Sequence, residues 1–149
     1  MGLFSRLPFD KKAIEAAIVR LEQQSSAELR VYIERHIPKY QNSNSSLTRA
    51  LSVFEQLEMH QTQARNGILI YIAYKDQQCA IVGDEGIDQY VTTDFWQQQC
   101  VEMTGYFKQG IYTQGVVKII ENMTKLLAKH FPIQPNDINE LDNEVIIND

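Results

Sequence analysis

A three-layer α/β/α sandwich, with a small mixed sheet of about four strands and helices on both faces, is the fold predicted by three observations. Segments of helical period alternate with segments of strand period. Residues 67–74 form an almost wholly apolar run rich in Ile and Tyr, which suits a strand buried on both faces. The four residues "KDQQ" then force an antiparallel return. The resulting order, helix, strand, helix, strand, strand, helix, helix, implies helices layered over a mixed sheet.

Taken in order, Asp10 can cap a first helix in which Ile14, Ile18 and Leu21 recur at i, i+4, i+7. From residue 27 to 35 the period becomes two, with Leu29, Val31 and Ile33 on one face and Glu28, Arg30, Tyr32 and Glu34 on a wetter one. "YQNSNSS" reads as a loop, and Ser46 is placed to cap a second helix carrying Leu47, Leu51, Phe54 and Leu57. After the apolar strand and its return arm, residues 79–82, Thr93 and Asp94 open a helix with Trp96, Cys100, Met103 and Phe107 on one side. The last helix runs over about residues 112–130, with Val116, Ile120, Met123 and Leu127 inward, and Pro132 closes it. The sequence makes three strands clear and leaves the fourth to a short segment it does not place.

Length and charge bound the function. A chain of 149 residues suits a single domain, assigned to residues 1–131, followed by an acidic tail, 132–149, expected to be flexible. Net charge is −5, and the tail carries the imbalance: Asp137, Glu140, Asp142, Glu144 and Asp149 face no Lys or Arg there, while residues 1–131 hold 14 basic and 14 acidic residues. A neutral body with no basic stripe argues against nucleic acid. With 44% hydrophobic residues and no window near the roughly 18 apolar residues that span a bilayer, no membrane span is expected. "MGLFSRLPFDKK" lacks a continuous apolar core and a small-residue cleavage site, and Gly2 lacks the hydroxyl at position 6 of a myristoylation signal, so a cytoplasmic location is expected. Cys79 and Cys100 each lie in an apolar segment and read as small buried hydrophobes, not as a disulfide or a catalytic thiol.

The predicted topology gathers polar groups at one place. A strand–helix–strand crossover leaves the first two strands parallel, so they start at one end, and the hairpin returns the third strand to that end. "SSAE", "TQARNG" and "GDEGID" therefore converge, bringing together Glu28, Thr62, Arg65, Asn66, Asp84, Glu85 and Asp88. Carboxylates from several segments suit a hard cation, Ca²⁺ or Mg²⁺, assigned to Asp84, Asp88, Glu28 and Glu85; Arg65, with Asn66 and Thr62, suits an anion or a structural role. Gly67, Gly83 and Gly86 allow close backbone approach. The alternative is structural: Glu28 and Arg65 pair as a bridge, and Asp84 or Asp88 caps the next turn. "GDEGID" lacks the alternating ligands and distal Glu of an EF-hand, and the chain has no GxxxxGK[ST], GxSxG or HExxH motif. His36, His60 and His130 are dispersed, which leaves no Cys/His cluster for zinc. No catalytic residue is assigned.

"RNGILIYIAYKDQQCAIVGDEGI", followed by "FKQGIYTQGVVKIIENMTKLLAKHF", resembles the TPM-domain family of thylakoid-lumen and bacterial proteins, over about residues 10–132. The resemblance implies a four-stranded mixed sheet with helices on both sides, phosphatase activity in some members, and divalent-ion binding near acidic loop ends in others. It carries over to Glu28, Arg65, Asn66, Asp84 and Asp88, and more weakly to Glu85 and Thr62. The sequence departs from secreted members in lacking a signal peptide and a C-terminal span or Gly-rich tail, and "GDEGI" replaces a "GYGLE" type of loop; it resembles a soluble bacterial subtype whose tails contain a similar "NEL" segment. Two functions follow as expectations. One is a non-catalytic module binding a divalent cation or serving protein maintenance, with the tail's "ELDNEVII" available to a protein partner. The other is a metal-assisted phosphatase acting on a phosphorylated small molecule, for which no nucleophile and base pair is evident.

Overall fold

The computed structural model describes residues 7–39, 45–135 and 139–148. Its elements are α1 (Lys11–Glu22), β1 (Glu28–Glu34), α2 (Ser46–Gln56), β2 (Gly67–Ala73), β3 (Gln78–Gly83), α3 (Glu85–Asp88), α4 (Thr93–Lys108), α5 (Tyr112–His130) and β4 (Ile146–Asn148). Residues 1–6 and most of the expected loop before α2, residues 40–44, lie outside the described residues. Among the described residues no helix is long and apolar enough to cross a membrane.

The sheet has the order β3-β2-β1-β4, with β1 parallel to both β2 and β4 and β2 antiparallel to β3. Alternation along the strands sends Leu29, Val31, Ile33, Ile68, Ile70 and Ile72 into a larger core shared with α1, α4 and α5. The intervening Tyr32, Leu69, Tyr71 and Ala73 enter a second core under α2. Every residue of β2 is buried, as a strand covered on both faces requires. Asp10 caps α1 by accepting from the Ala13 N–H at 3.2 Å, and Ile14, Ile18 and Leu21 are fully buried, each stabilising by roughly 1.5–3 kcal/mol. The cap of α2 is Ser45, one residue before the expected Ser46, whose hydroxyl instead donates to the Cys79 carbonyl at 3.1 Å.

Two expectations change. The segment read as a flexible tail supplies the fourth strand: β4 pairs with Tyr32, Ile33 and Glu34, and Leu141 and Val145 are buried. The apolar residues among its acids complete this chain's own cores. That covering also changes the face of β1 expected to be wet, because Glu28, Tyr32 and Glu34 are each about 4% exposed beneath α2 and the C-terminal segment.

Burial makes Glu34 dependent on partners. Arg49 of α2 grips it with Nε to Oε2 at 2.8 Å and Nη2 to Oε1 at 3.2 Å, Tyr71 donates its hydroxyl to Oε2, and Asn148 of β4 donates to Oε1 at 3.1 Å. Burial, reinforced by the Glu34 carboxylate, pushes the Tyr71 phenol well above its usual range, so it stays a donor. Arg49→Ala is expected to cost about 3–5 kcal/mol in urea unfolding, since it leaves a buried carboxylate unpaired. Lys11→Ala, which breaks the exposed Lys11–Glu144 pair, is expected to cost about 0–1 kcal/mol.

Candidate functional site

The three segments expected to converge do so where β1 and β2 begin and β3 ends. Glu28 is in register with Gly67, and Gly83 with Ile68. The Glu28 N–H donates to the Asn66 carbonyl at 3.1 Å and the Asp84 N–H to the Gly67 carbonyl at 2.9 Å. Asn66 ties the third segment in: its Nδ2 donates to the Ser26 carbonyl at 2.6 Å, and its backbone N–H donates to Thr62 Oγ1 at 3.3 Å. The turn of α3 sits directly on this ridge, with the Gly86 N–H donating to the Arg65 carbonyl at 2.9 Å. A Cβ on Gly86 would lie 2.5 Å from the Ala64 carbonyl oxygen and 2.6 Å from that of Arg65, so only glycine fits.

The side chains divide into two groups. In the first, Arg65, held at φ 52°, forks onto Asp84 with Nε to Oδ2 at 2.7 Å and Nη2 to Oδ1 at 2.8 Å, and reaches Glu85 with Nη1 at 3.1 Å. Asp84 also caps α3, its Oδ1 accepting from the Glu85 N–H at 2.8 Å. The expected partner of Arg65 in a structural bridge was Glu28; the geometry gives it Asp84 and Glu85 instead. Asp88 stays exposed, and partial burial with the nearby Asp84 charge raises its carboxyl above the ordinary range.

The second group surrounds Glu28, whose side chain turns toward the C-terminal segment. The Leu141 N–H donates to its Oε1 at 2.6 Å. Burial pushes the Glu28 carboxyl up, the Leu141 and Glu140 N–H groups oppose this, and the Glu140 carboxyl beside it pushes it further up. Glu22, at the end of α1, joins this group: burial raises it to about 7, a hydrogen bond from Asn143 opposes, and the Glu28 charge adds. Glu22 and Glu28 line a pocket of about 270 Å³ with Ser25, Ser26 and Asn139. Glu22 Oε2 is buried here with no hydrogen-bond partner, as is Asn66 Oδ1 on the adjoining ridge just before β2.

The fit to a divalent cation differs between the groups. Among the described residues no set of three or more His, Cys, Asp or Glu converges closely enough to hold a metal. Both oxygens of Asp84 are committed to Arg65, which makes the expected grouping of Asp84, Glu85 and Asp88 a poor cation cage. Around Glu28 the available donors are carboxylate and amide oxygens with no cationic side chain among the pocket-lining residues, the chemistry a hard cation takes. Glu22 escaped the sequence reading because it adjoins Leu21 on an ordinary amphipathic helix, whereas Glu140 lies in the "NEL" segment already singled out.

A cleft of about 770 Å³ lies at the opposite end of the sheet around His36 and Asp76. Asp76 is engaged there by His36 Nδ1 at 2.8 Å and the Ile37 N–H at 2.7 Å. His60 contacts Gln61 and His130 stacks on Tyr90, so the three histidines remain dispersed.

Gly86→Ala is expected to destabilise the domain by about 1–3 kcal/mol, since the methyl group has to displace backbone. Gly105→Ala in α4, where nothing lies within 4 Å of the added Cβ, is expected to stabilise by about 0.4–1 kcal/mol. Thermal unfolding of the two variants checks both.

A family model for the TPM domain matches residues 2–126. The BA42 protein of the psychrophilic bacterium Bizionia argentinensis, solved by NMR, is 38% identical, with 93% of this chain and 92% of that chain covered and a TM-score of 0.80. The N-terminal domain of a P. gingivalis protein is 16% identical over 83% of this chain and 78% of that one, with a TM-score of 0.66. The N-terminal domain of the cg2496 protein of Corynebacterium glutamicum is 12% identical over 78% and 70%, with a TM-score of 0.57; these two likenesses show the fold alone. No curated protein matches the chain. With the family model covering most of its length and the BA42 likeness running almost end to end, the chain belongs to the TPM-domain family.

Proposed function

We propose that this TPM domain is a non-catalytic module that binds a divalent cation, Ca²⁺ or Mg²⁺, at the loop end of its sheet. The observation that carries the reading is the uncompensated carboxylate pair Glu22 and Glu28, with Glu22 Oε2 buried and unpartnered in the pocket they line. A cation there would relieve both the burial penalty and the mutual repulsion that raise these two acids. Glu28 is the residue of the sequence-derived set that this reading keeps as a ligand, joined by Glu22 and the Asn66 amide oxygen. Asp84, Glu85 and Arg65 then form a brace beside it in which one guanidinium spans two carboxylates, with Asp88 outside the ligand set.

The phosphatase reading draws less support. Clamping a phosphoryl group needs free guanidinium donors, and Arg65 already directs Nε, Nη1 and Nη2 at Asp84 and Glu85. Hydrolysis of a phosphomonoester is expected to be indistinguishable between wild type and Arg65→Ala.

The sign of the pH dependence follows from Glu22. Its folded-state value of about 7 exceeds the ordinary 4.5, so the folded protein holds a proton that the unfolded chain releases between those values. Its contribution to stability is therefore fully present below pH 4.5 and lost as pH rises through about 7. Cation binding displaces that proton, so affinity should rise from pH 6 to pH 8. In a Ca²⁺ and Mg²⁺ titration followed by amide chemical shifts, saturable changes are expected at residues 22–28, 66 and 139–143, weakened in Glu22→Gln. No saturable response at pH 8 would remove the cation from the reading, and a response centred on residues 84–88 would move it to the other group.

A further inference from the structure

Cys79 and Cys100 read from sequence as two unrelated buried hydrophobes, yet the fold brings them together. Cys79 lies on β3, the edge strand of the sheet, and Cys100 on α4, which packs against that edge. Both are free and only partly buried. Cys79 Sγ donates to the Cys100 carbonyl oxygen at 3.6 Å, which sets the Cys79 thiol against the backbone of Cys100. The Cys79 thiol, with the Ile81 amide, draws the Cys100 thiol below its ordinary range against the effect of burial. This arrangement favours the thiolate at Cys100 and the thiol at Cys79.

Both cysteines border solvent-accessible space. They lie on the wall of an open groove of about 650 Å³ between α2 and α4, bordered by Leu47, Trp96 and Val101. Leu47 is 51% exposed and Val101 72%, so the groove opens to solvent along the sheet edge. A small uncharged oxidant fits such an entrance.

We propose that Cys79 and Cys100 form an oxidisable dithiol that a hydroperoxide converts into a disulfide. The Cys100 thiolate attacks the peroxide: an S–O bond forms, the O–O bond breaks, and the released hydroxide or alkoxide takes up the proton that Cys100 lost. The Cys79 thiol then attacks the sulfenic acid, forming the S–S bond and releasing water. In sum, two thiols and one hydroperoxide give one disulfide, water, and an alcohol or a second water. The bond would close the chain across 21 positions, enclosing α3 and the carboxylates Asp84, Glu85 and Asp88. Oxidation would therefore tether the start of the edge strand β3, at the end of the sheet away from Glu28, to α4.

The test treats the full chain with one equivalent of hydrogen peroxide, then unfolds and alkylates it for mass spectrometry. The expected result is loss of both alkylation sites and a cross-linked peptide pair containing Cys79 and Cys100, reversed by dithiothreitol. Two alkylated cysteines, or sulfinic acid on one with the other still free, would overturn the proposal. Cys79→Ser adds a second readout: Cys100 should accumulate a sulfenic acid that dimedone captures. In Cys100→Ser, Cys79 should remain unlabelled, and equal dimedone labelling in the two variants would overturn the order of attack. The wild-type result stands even if either variant fails to fold.

Discussion

The alignment of β1 against β2 depends on Asn66. Its carbonyl accepts the first β1 amide, from Glu28, and its side chain holds the Ser26 carbonyl just ahead of that strand. Side chains alternate along a strand, so a slip of one residue would exchange Leu29, Val31 and Ile33 with Glu28, Tyr32 and Glu34 between the two cores. The same residue sets where Arg65 stands, one position earlier, and therefore where Asp84 is met. Register and site share one anchor.

Around that anchor the acids meet contrasting fates. Asp84 is buried beside a guanidinium and a backbone N–H, so its charge is balanced where it lies. Glu28 is equally buried but faces Glu22 and Glu140, with backbone amides in place of a cationic side chain. Hydrogen bonds to amides offset part of the desolvation of a carboxylate, whereas a forked arginine offsets more, because it brings a full opposite charge into low dielectric. The imbalance concentrates negative potential on the α1 and C-terminal side of the rim. The α3 side is left mechanically braced.

What could be read in the sequence was set by periodicity and chain geometry. The helix of residues 112–130 was legible because four apolar residues recur on one stripe and proline follows; the central strand was legible because no polar residue interrupts it. Convergence of "SSAE", "TQARNG" and "GDEGID" was legible because a crossover followed by a hairpin leaves few alternatives. Pairing within that convergence was not, since Arg65 reaches Asp84 through a left-handed backbone that arginine rarely adopts. Glu34 looked solvent-facing because its cover, Arg49 and Asn148, lies 15 and 114 positions away. β4 escaped because three residues carry too little pattern to distinguish a strand from an extended end.

That short strand has a structural consequence beyond completing the sheet. The segment 139–148 bonds to Glu28 through Leu141 at one end of β1 and to Glu34 through Asn148 at the other, like a clasp fastened at both ends of a band. Were the clasp released, two buried carboxylates would lose partners together, and β1 would present an apolar, unpaired flank able to recruit a strand from a neighbouring molecule. In the folded domain that flank is covered by ten residues whose composition resembles a solvated appendage.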